Sequence, residues 1–235
     1  MLSIVIPTKN EEEYLPILLT SIKRQSIAPH EVIVADAHST DRTREIAQAF
    51  GCKVIDGGMP GVGRNLGAKV ATGNLLLFLD ADVELSDLNF LKLAEDEFEK
   101  RNLDFATCDS LPQSKKLSDK ILHNFYNKYN RVLSKLRPHA PGYCILARRT
   151  KHEELNGFDE TVVFCEDTDY VNRGMRIGTF GILRSVAISV SIRRFERDGR
   201  FESAVKYALA EAHMIALGPI RSDIFHYTFG HRKKK

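Results

Sequence analysis

Apolar and polar stretches alternate along the first part of the chain in a way that separates strands from helices. Short apolar runs, several rich in β-branched residues, predict buried strands at residues 2–6, 31–35, 53–55 and 75–79. Between them, apolar residues recur at helical spacing, most clearly at residues 15–22 and 43–50, and residues 64–71 also predict a helix. Residues 57–63 are rich in glycine and predict a flexible loop. Strands that alternate with helices predict an α/β fold with a mostly parallel central sheet and helices on both faces.

The pattern changes in the second part of the chain. Residues 88–101, 115–136 and 201–217 have the spacing of amphipathic helices, and strands are predicted at 104–108 and 144–149, with one or two more within 179–190. Helix 115–136 has a long apolar stripe surrounded by lysines. We favour packing of this stripe on the sheet, and the alternative is contact with a membrane or a lipid-linked acceptor. The alanine-rich stripe of helix 201–217 also predicts close packing.

Length and charge limit the classes of protein that the chain can represent. Its 235 residues suffice for one large α/β domain, which we predict over residues 1–220, followed by a basic tail at 221–235. A net charge of +3 is too small to indicate nucleic-acid binding by itself, and no patterned aromatic and basic face extends beyond the tail. We therefore predict no nucleic-acid partner, and the oligomeric state stays open.

Cysteine spacing and the N-terminal sequence bear on the compartment. The four cysteines are isolated, which is typical of a reducing environment and argues against a zinc site or a disulfide framework. The chain enters its first strand without a signal peptide, and no apolar run approaches ~18 residues. We predict a cytoplasmic protein. A peripheral membrane contact through the basic tail is left open.

Polar side chains follow the predicted strands where each strand ends. Thr8 follows the first strand, Asp36 the second, and Asp80 and Asp82 the fourth. Because the carboxyl ends of parallel strands meet at one edge of a sheet, these residues predict a ligand site there. Paired carboxylates suit Mg²⁺ or Mn²⁺ bound to a diphosphate, although an Asp-x-Asp triplet alone is more often a polar loop. Together the strand ends predict a nucleotide site.

Taken in order, these segments resemble the inverting glycosyltransferases of family 2. The resemblance rests on Ser-Ile-Val-Ile-Pro-Thr-Lys-Asn-Glu at 3–11, Asp-Ala-His-Ser-Thr-Asp at 36–41, Arg-Asn-x-Gly at 64–67, Asp-Ala-Asp at 80–82, and Gly-Phe-Asp-Glu at 157–160 followed by Glu-Asp at 166–167. It implies a Rossmann-like GT-A fold, and transfer of sugar from a UDP- or GDP-sugar to a hydroxyl of a glycan or a lipid-linked acceptor.

The resemblance also implies roles on the donor side, in a nucleotide-binding part at residues 1–85. Asp36 would accept a hydrogen bond from the base, and Asp82 would hold the metal ion, Mg²⁺ or Mn²⁺. The other residues expected near the nucleotide are Pro7, Thr8, Glu11, Arg64, Asp80 and Ala81. Ala37 and His38 depart from the family's common pattern, so the identity of the base stays open.

The acceptor-binding part is expected at residues 103–200. An inverting transfer is a single displacement, so a carboxylate must take the proton of the attacking hydroxyl. By the resemblance this general base is Asp167, with Glu166 beside it, and Gly142 lets the backbone approach the acceptor. Arg193 and Arg194 can pair with phosphate oxygens. No histidine stands between residues 152 and 213, which leaves the remaining metal ligands open.

Three other functions were weighed against this prediction. A sugar-phosphate nucleotidylyltransferase would carry a glycine-rich loop after its first strand, where this chain has Pro-Thr-Lys-Asn at 7–10. The glycines at 61, 63 and 67 have the wrong spacing, and follow the wrong strand, for a dinucleotide fingerprint. A nucleotide-sugar-binding partner protein without catalysis would not need Asp80, Asp82 and Asp167, yet only an assay can distinguish it.

Overall fold

The structure, a computed structural model, describes residues 1–226 and 229–230. The strands within those residues are β1 (Leu2–Thr8), β2 (Glu31–Asp36), β3 (Lys53–Asp56), β4 (Leu75–Phe78), β5 (Val83–Glu84), β6 (Phe105–Pro112), β7 (Ile145–Arg148) and β8 (Phe180–Val190). The helices are α1 (Leu15–Lys23), α2 (Thr43–Ala49), α3 (Pro60–Val70), α4 (Phe90–Lys100), α5 (Leu117–Leu133), α6 (Arg149–Glu154), α7 (Glu166–Gly174), α8 (Arg193–Asp198) and α9 (Arg200–Ala216).

All eight strands form one sheet in the order β3-β2-β1-β4-β7-β6-β8-β5. The pairs β1–β2, β2–β3 and β1–β4 are parallel, as the alternation of strands and helices predicts. Beyond β4 the sheet is mixed, because β7 runs antiparallel to both β4 and β6, whereas β6 and β8 are parallel. β1 and β4 lie in the middle of this sheet and are buried along their whole length, since helices cover both of its faces.

Helix α3 corrects the prediction of a flexible loop over residues 57–63. The helix begins at Pro60, four residues before the predicted start. Proline suits a first helical turn because the N–H that it lacks would have no partner there. The glycines of this segment serve close packing: a Cβ at Gly63 on α3 would lie 3.2 Å from Cβ of Pro7 on β1. Glycine content alone could not distinguish a loop from a helix that packs closely on a sheet.

Other boundaries differ little from the sequence-based prediction. Strand β7 ends at Arg148, one residue before the predicted end, and α6 follows at once. Residues 180–190 form one strand of 11 residues, within the predicted one or two strands. Arg193 opens helix α8, whereas it was predicted to stand at the end of the last strand. The short strand β5 pairs with the end of β8 and was not predicted.

The predicted close packing of the α9 stripe is wrong, and the predicted packing of the α5 stripe is wrong in part. On α5 one half of the stripe is exposed, whereas Leu122, Tyr126, Tyr129 and Leu133 are half-buried. Phe125 on α5 is 68% exposed and Leu209 on α9 is 56% exposed. The side of α5 that faces the sheet is polar: Asn127 donates a hydrogen bond from Nδ2 to the carbonyl of Ser110 at 2.9 Å. Amphipathic spacing shows that a helix has two unlike sides but does not show which side meets the sheet.

Two predictions about the chain as a whole stay predictions. These are the single domain over 1–220, with its donor part at 1–85 and its acceptor part at 103–200, and the basic tail, of which residues 227–228 and 231–235 lie outside the described residues. Within the described part of the chain, no helix combines the length and the apolar character needed to cross a membrane.

Candidate active site

The parallel pairing of β1 and β2 places their last residues side by side. Thr8 is opposite Asp36 in the strand register, and its Oγ1 donates a hydrogen bond to Asp36 Oδ1 at 3.0 Å. The backbone N–H of Ser39 donates to Oδ2 of the same carboxylate at 2.9 Å. Asp36 is fully buried, so these donors hold its carboxylate in one orientation. Pro7 precedes Thr8 and lies against Gly63 of α3.

Arg64 on α3 joins the end of β4 to the start of α7. Its guanidinium is 2% exposed; Nη2 donates to Asp80 Oδ1 at 2.8 Å and Nη1 to Glu166 Oε1 at 2.6 Å. Burial disfavours the charged arginine, but the charges of Asp80 and Glu166 outweigh it and raise the arginine's pKa. Ala81 is buried in the turn after β4. Two segments that are distant in sequence are therefore fixed to each other by a buried cation.

Gly142 brings the backbone against this cluster. Its N–H donates to Asp167 Oδ2 at 2.6 Å. A Cβ at position 142 would lie 2.1 Å from Nη2 of Arg64 and 3.1 Å from Oδ1 of Asp80. Only glycine fits this place, because any side chain would displace the buried guanidinium. The predicted close approach of the backbone at Gly142 is present, and the group that it approaches is the arginine–carboxylate cluster.

The electrostatic environment of Asp167 suits a proton acceptor. Burial and the neighbouring Glu166 carboxylate raise the pKa of Asp167 from its ordinary value of 3.8 to about 7, although Arg64 and the Gly142 N–H favour the charged form. A general base works best when its pKa lies near the working pH. Cys165, directly before helix α7, adopts a left-handed conformation with φ 59°. Such a conformation is uncommon outside glycine, asparagine and aspartate and is often found at functional sites.

A second arginine lies at the other side of the paired carboxylates. Arg193 donates through Nη1 and Nη2 to the two oxygens of Glu11, at 2.7 and 2.8 Å, and through Nε to Asp82 Oδ2 at 2.8 Å. Glu11 is 3% exposed. The aromatic ring of Tyr14 lies 4.4 Å from the guanidinium carbon. Arg194 donates from Nη1 to the hydroxyl of Tyr207 at 2.7 Å, and its charge favours the ionised form of Asp82.

The carboxylates Asp80 and Asp82 retain capacity for a metal ion. Asp80 accepts from Arg64 through Oδ1 and Asp82 accepts from Arg193 through Oδ2, and no described residue donates to Asp80 Oδ2 or Asp82 Oδ1. Among the described residues, no three His, Cys, Asp or Glu side chains gather as a complete metal site. The two spare oxygens fit Mg²⁺ or Mn²⁺ that takes its other ligands from a diphosphate and water.

Several residues around this site were not singled out by the sequence. Burial raises the pKa of Tyr126, Tyr143 and Tyr207, and the charge of Asp167 contributes for Tyr126 and Tyr207. Tyr126 and Tyr207 therefore lie within electrostatic range of Asp167, and Tyr143 lies near Tyr126. The sequence showed Tyr126 only as one member of an apolar helical stripe, so the pattern did not indicate that this residue lies near Asp167. Nothing in the spacing indicated Tyr14.

A family comparison decides the classification. The model of glycosyl transferase family 2 matches residues 3–155, which is more than half of the chain. The chain belongs to glycosyl transferase family 2. The match confirms the predicted membership. Family 2 is a family of glycosyltransferases that depend on nucleotide sugars.

Two curated glycosyltransferases illustrate how far the similarity extends. The 4,4'-diaponeurosporenoate glycosyltransferase of Staphylococcus haemolyticus is 41% identical over 100 residues, 39% of this chain and 26% of that protein. The uncharacterized glycosyltransferase EpsJ of Bacillus subtilis is 29% identical over 191 residues, 72% of this chain and 54% of that protein. The chain therefore spans about a quarter to about half of the length of these family 2 relatives.

Solved structures share the fold. Mannosyltransferase PcManGT from Pyrobaculum calidifontis, in complex with GDP-Man and Mn²⁺, has a TM-score of 0.69 at 19% identity. The superposition covers 89% of this chain and 61% of the PcManGT chain. Residues 1–349 of S. aureus TarS, in complex with UDP-GlcNAc, have a TM-score of 0.66 at 21% identity. The superposition covers 91% of this chain and 66% of the TarS chain. These similarities confirm the predicted GT-A fold of this family 2 chain.

Proposed function

We propose that the protein transfers sugar from a UDP- or GDP-sugar, with inversion at the anomeric carbon, to a hydroxyl of a glycan or lipid-linked acceptor. The observation that carries the proposal is the buried bridge from Asp80 through Arg64 to Glu166. It ties the predicted donor edge of the sheet to the helix start that holds Asp167. Membership of glycosyl transferase family 2 supports it, as do the nucleotide sugars bound by PcManGT and TarS.

In this mechanism Asp167 is the catalytic residue. Its carboxylate takes the proton of the acceptor hydroxyl while that oxygen attacks the anomeric carbon, and the bond from this carbon to the diphosphate oxygen breaks. The Gly142 N–H holds Oδ2 of Asp167. The other carboxylate oxygen accepts from the backbone N–H of Thr168 at 2.7 Å. Asp36 and Thr8 would position the base and ribose at the neighbouring strand ends, and Glu11 would stay paired with Arg193.

A divalent cation completes the donor site in this proposal. Asp80 and Asp82 would hold Mg²⁺ or Mn²⁺, which when bound supplies positive charge against the leaving diphosphate. PcManGT, which has the same fold, contains Mn²⁺ with its GDP-Man. Within the protein, Arg193 already neutralises part of the charge of Asp82.

Calorimetric titration with UDP and GDP, in Mn²⁺ and after chelation, tests the donor and the metal together. We expect one nucleotide to bind better, and its affinity to fall after chelation. Asp82→Ala should weaken binding in Mn²⁺ and leave little further effect of chelation. The matched control is Asp96→Ala, which removes an exposed carboxylate on α4. Equal binding with and without the metal, in both the unmodified protein and Asp82→Ala, would show the metal assignment to be wrong.

Turnover distinguishes an enzyme from a binding protein. With the preferred nucleotide known, release of the nucleoside diphosphate from its sugars is measured with and without candidate hydroxyl acceptors. We expect slow donor hydrolysis without acceptor and faster release with a suitable one. Tight donor binding without any release would contradict catalysis and favour a binding partner protein.

A further inference from the structure

The outer side of α5 is apolar and faces solvent. Its residues at helical spacing are more than half exposed: Leu117 is 70%, Ile121 59%, Phe125 68%, Val132 77% and Leu136, just past the helix, 79%. A helix that packs on a sheet normally turns such a stripe inward. Contiguous exposed apolar surface of this kind marks an interaction site.

Helix α9 runs alongside α5 and extends this surface. Arg200 at the start of α9 donates from Nε to Asp119 near the start of α5 at 2.6 Å. Glu211, further along α9, forms an ion pair with Arg137, whose Nε lies 2.9 Å from Oε1, and its Oε2 lies 2.8 Å from Nε2 of His139; both partners are just beyond α5. The exposed apolar side chains of α9 and its end are Phe201 (76%), Val205 (39%), Leu209 (56%), Ile215 (64%) and Leu217 (75%). We call the exposed apolar sides of α5 and α9 the two-helix face.

The charge beside the two-helix face has one sign along α5. The exposed lysines of residues 115–136 form no ion pair with any described residue; they are Lys115, Lys116, Lys120, Lys128 and Lys135. The only carboxylate of that segment, Asp119, is buried and paired with Arg200. An apolar stripe bordered by lysines and free of exposed carboxylates has the composition of helices that lie in a membrane interface.

We propose that the two-helix face binds the surface of an anionic lipid membrane. The apolar side chains enter the boundary between headgroups and acyl chains, and the lysines meet anionic headgroups. A second copy of the chain is a poorer occupant, because a two-fold contact through α5 brings its lysine row near the same row of the partner. The polar inner side of α5 leads to the site: Asn130 donates from Nδ2 to the carbonyl of His139 at 2.8 Å, three residues before Gly142. Membrane binding thus brings the proposed acceptor side of Asp167 close to lipid. The binding itself does not require the nucleotide sugar.

Sedimentation of the full chain with lipid vesicles tests the proposal. Vesicles of phosphatidylcholine alone are compared with vesicles that also contain phosphatidylglycerol, at low and high salt. We expect binding to the anionic vesicles, weakened by salt, and little binding to the neutral ones. Lys120→Gln combined with Lys128→Gln should weaken binding by roughly 30-fold, since each basic residue near an anionic leaflet contributes about fivefold. Phe125→Ser should weaken it by more than about tenfold.

Matched control variants distinguish binding through the two-helix face from nonspecific binding to vesicles. Lys92→Gln on α4 and Ile17→Ser on α1 also change exposed side chains, the latter 45% exposed, and should leave vesicle binding unchanged. Thermal melting and nucleoside diphosphate binding of each variant confirm that the fold is kept. Removal of residues 231–235 is a further arm, and binding should survive it.

Three outcomes would overturn the proposal. The first is equal binding to neutral and anionic vesicles with no effect of Lys120→Gln and Lys128→Gln. The second is loss of binding on removal of residues 231–235 with the two-helix face intact. The third is a stable dimer that Phe125→Ser dissociates, together with no vesicle binding, which would assign the face to a second copy of the chain.

Discussion

Replacement of Asp167 by asparagine should abolish transfer and at the same time stabilise the folded protein at alkaline pH. The pKa of Asp167 is about 7 in the fold against an ordinary value of 3.8. An acid whose pKa is raised by folding contributes stability at low pH and loses that contribution as pH rises through the folded value. Above pH 7 the buried carboxylate therefore costs at most about 4 kcal/mol. Asparagine has no such cost, and its amide oxygen can still accept from Gly142; its NH2 group cannot accept from the N–H of Thr168, and this loss offsets part of the gain.

Two measurements test this reasoning. Thermal melting of Asp167→Asn and of the unmodified protein should coincide near pH 4 and diverge as pH rises from 4 to 7, and above pH 7 the variant should melt at the higher temperature by a constant margin. In the unmodified protein, transfer should fall about tenfold for each pH unit below 7, because only the ionised carboxylate accepts a proton. The variant should bind the nucleoside diphosphate normally and transfer no sugar.

Asp169→Asn is the matched control on the same helix turn. Asp169 pairs with Arg173 at 2.7 Å, so its loss should lower stability while transfer and its pH profile persist. The reasoning about Asp167 is refuted if Asp167→Asn retains turnover, or if it melts below the unmodified protein at pH 8.

Two further substitutions probe the arginine clusters. Gly142→Ala places a Cβ 2.1 Å from Nη2 of Arg64, so it should lower the free energy of unfolding by about 1–3 kcal/mol and slow sugar transfer. Urea unfolding and a transfer assay measure the two effects. An unchanged unfolding free energy and an unchanged transfer rate would contradict the close approach of the backbone to Arg64. Arg193→Gln leaves the buried Glu11 without its bidentate partner and should cost about 3–5 kcal/mol, whereas the control Arg197→Gln on the exposed side of α8 should stay within about 0.5 kcal/mol. Equal unfolding midpoints for these two arginine variants would argue against the buried pair.

The donor edge was predictable because two simple rules combine there. Apolar runs showed where β1, β2 and β4 would lie, and parallel strands place their carboxyl ends together. Asp36 and Asp80 therefore appeared as strand-end residues before any tertiary contact was known. The prediction for residues 57–63 failed because glycine is typical both of loops and of close packing, and only the position of Pro7 against Gly63 distinguishes the two.

The partners of the charged residues could not be predicted in the same way. Arg193 and Glu11 are 182 positions apart, and Arg64 and Glu166 are 102 apart. No local pattern records such a pairing, because it depends on how the strands are ordered in the sheet. The sequence indicated Arg193 as a phosphate partner, whereas the fold brings it onto two carboxylates. In the same way, the spacing of α5 predicted an apolar stripe but did not show which side of the helix meets the sheet. Hydrogen bonds such as that from Asn127 to Ser110 turn a polar side to the sheet, so that apolar residues such as Phe125 face solvent.

The α/β order of elements, the strand-end placement of Asp36 and Asp80 and the resemblance to glycosyl transferase family 2 follow from local periodicity and short motifs, so they can be read from the chain alone. The pairing of carboxylates with arginines, the need for glycine at position 142 and the exposed sides of α5 and α9 cannot. These features depend on burial and ion pairing between residues far apart in the chain, whose distances are set only when the sheet is assembled.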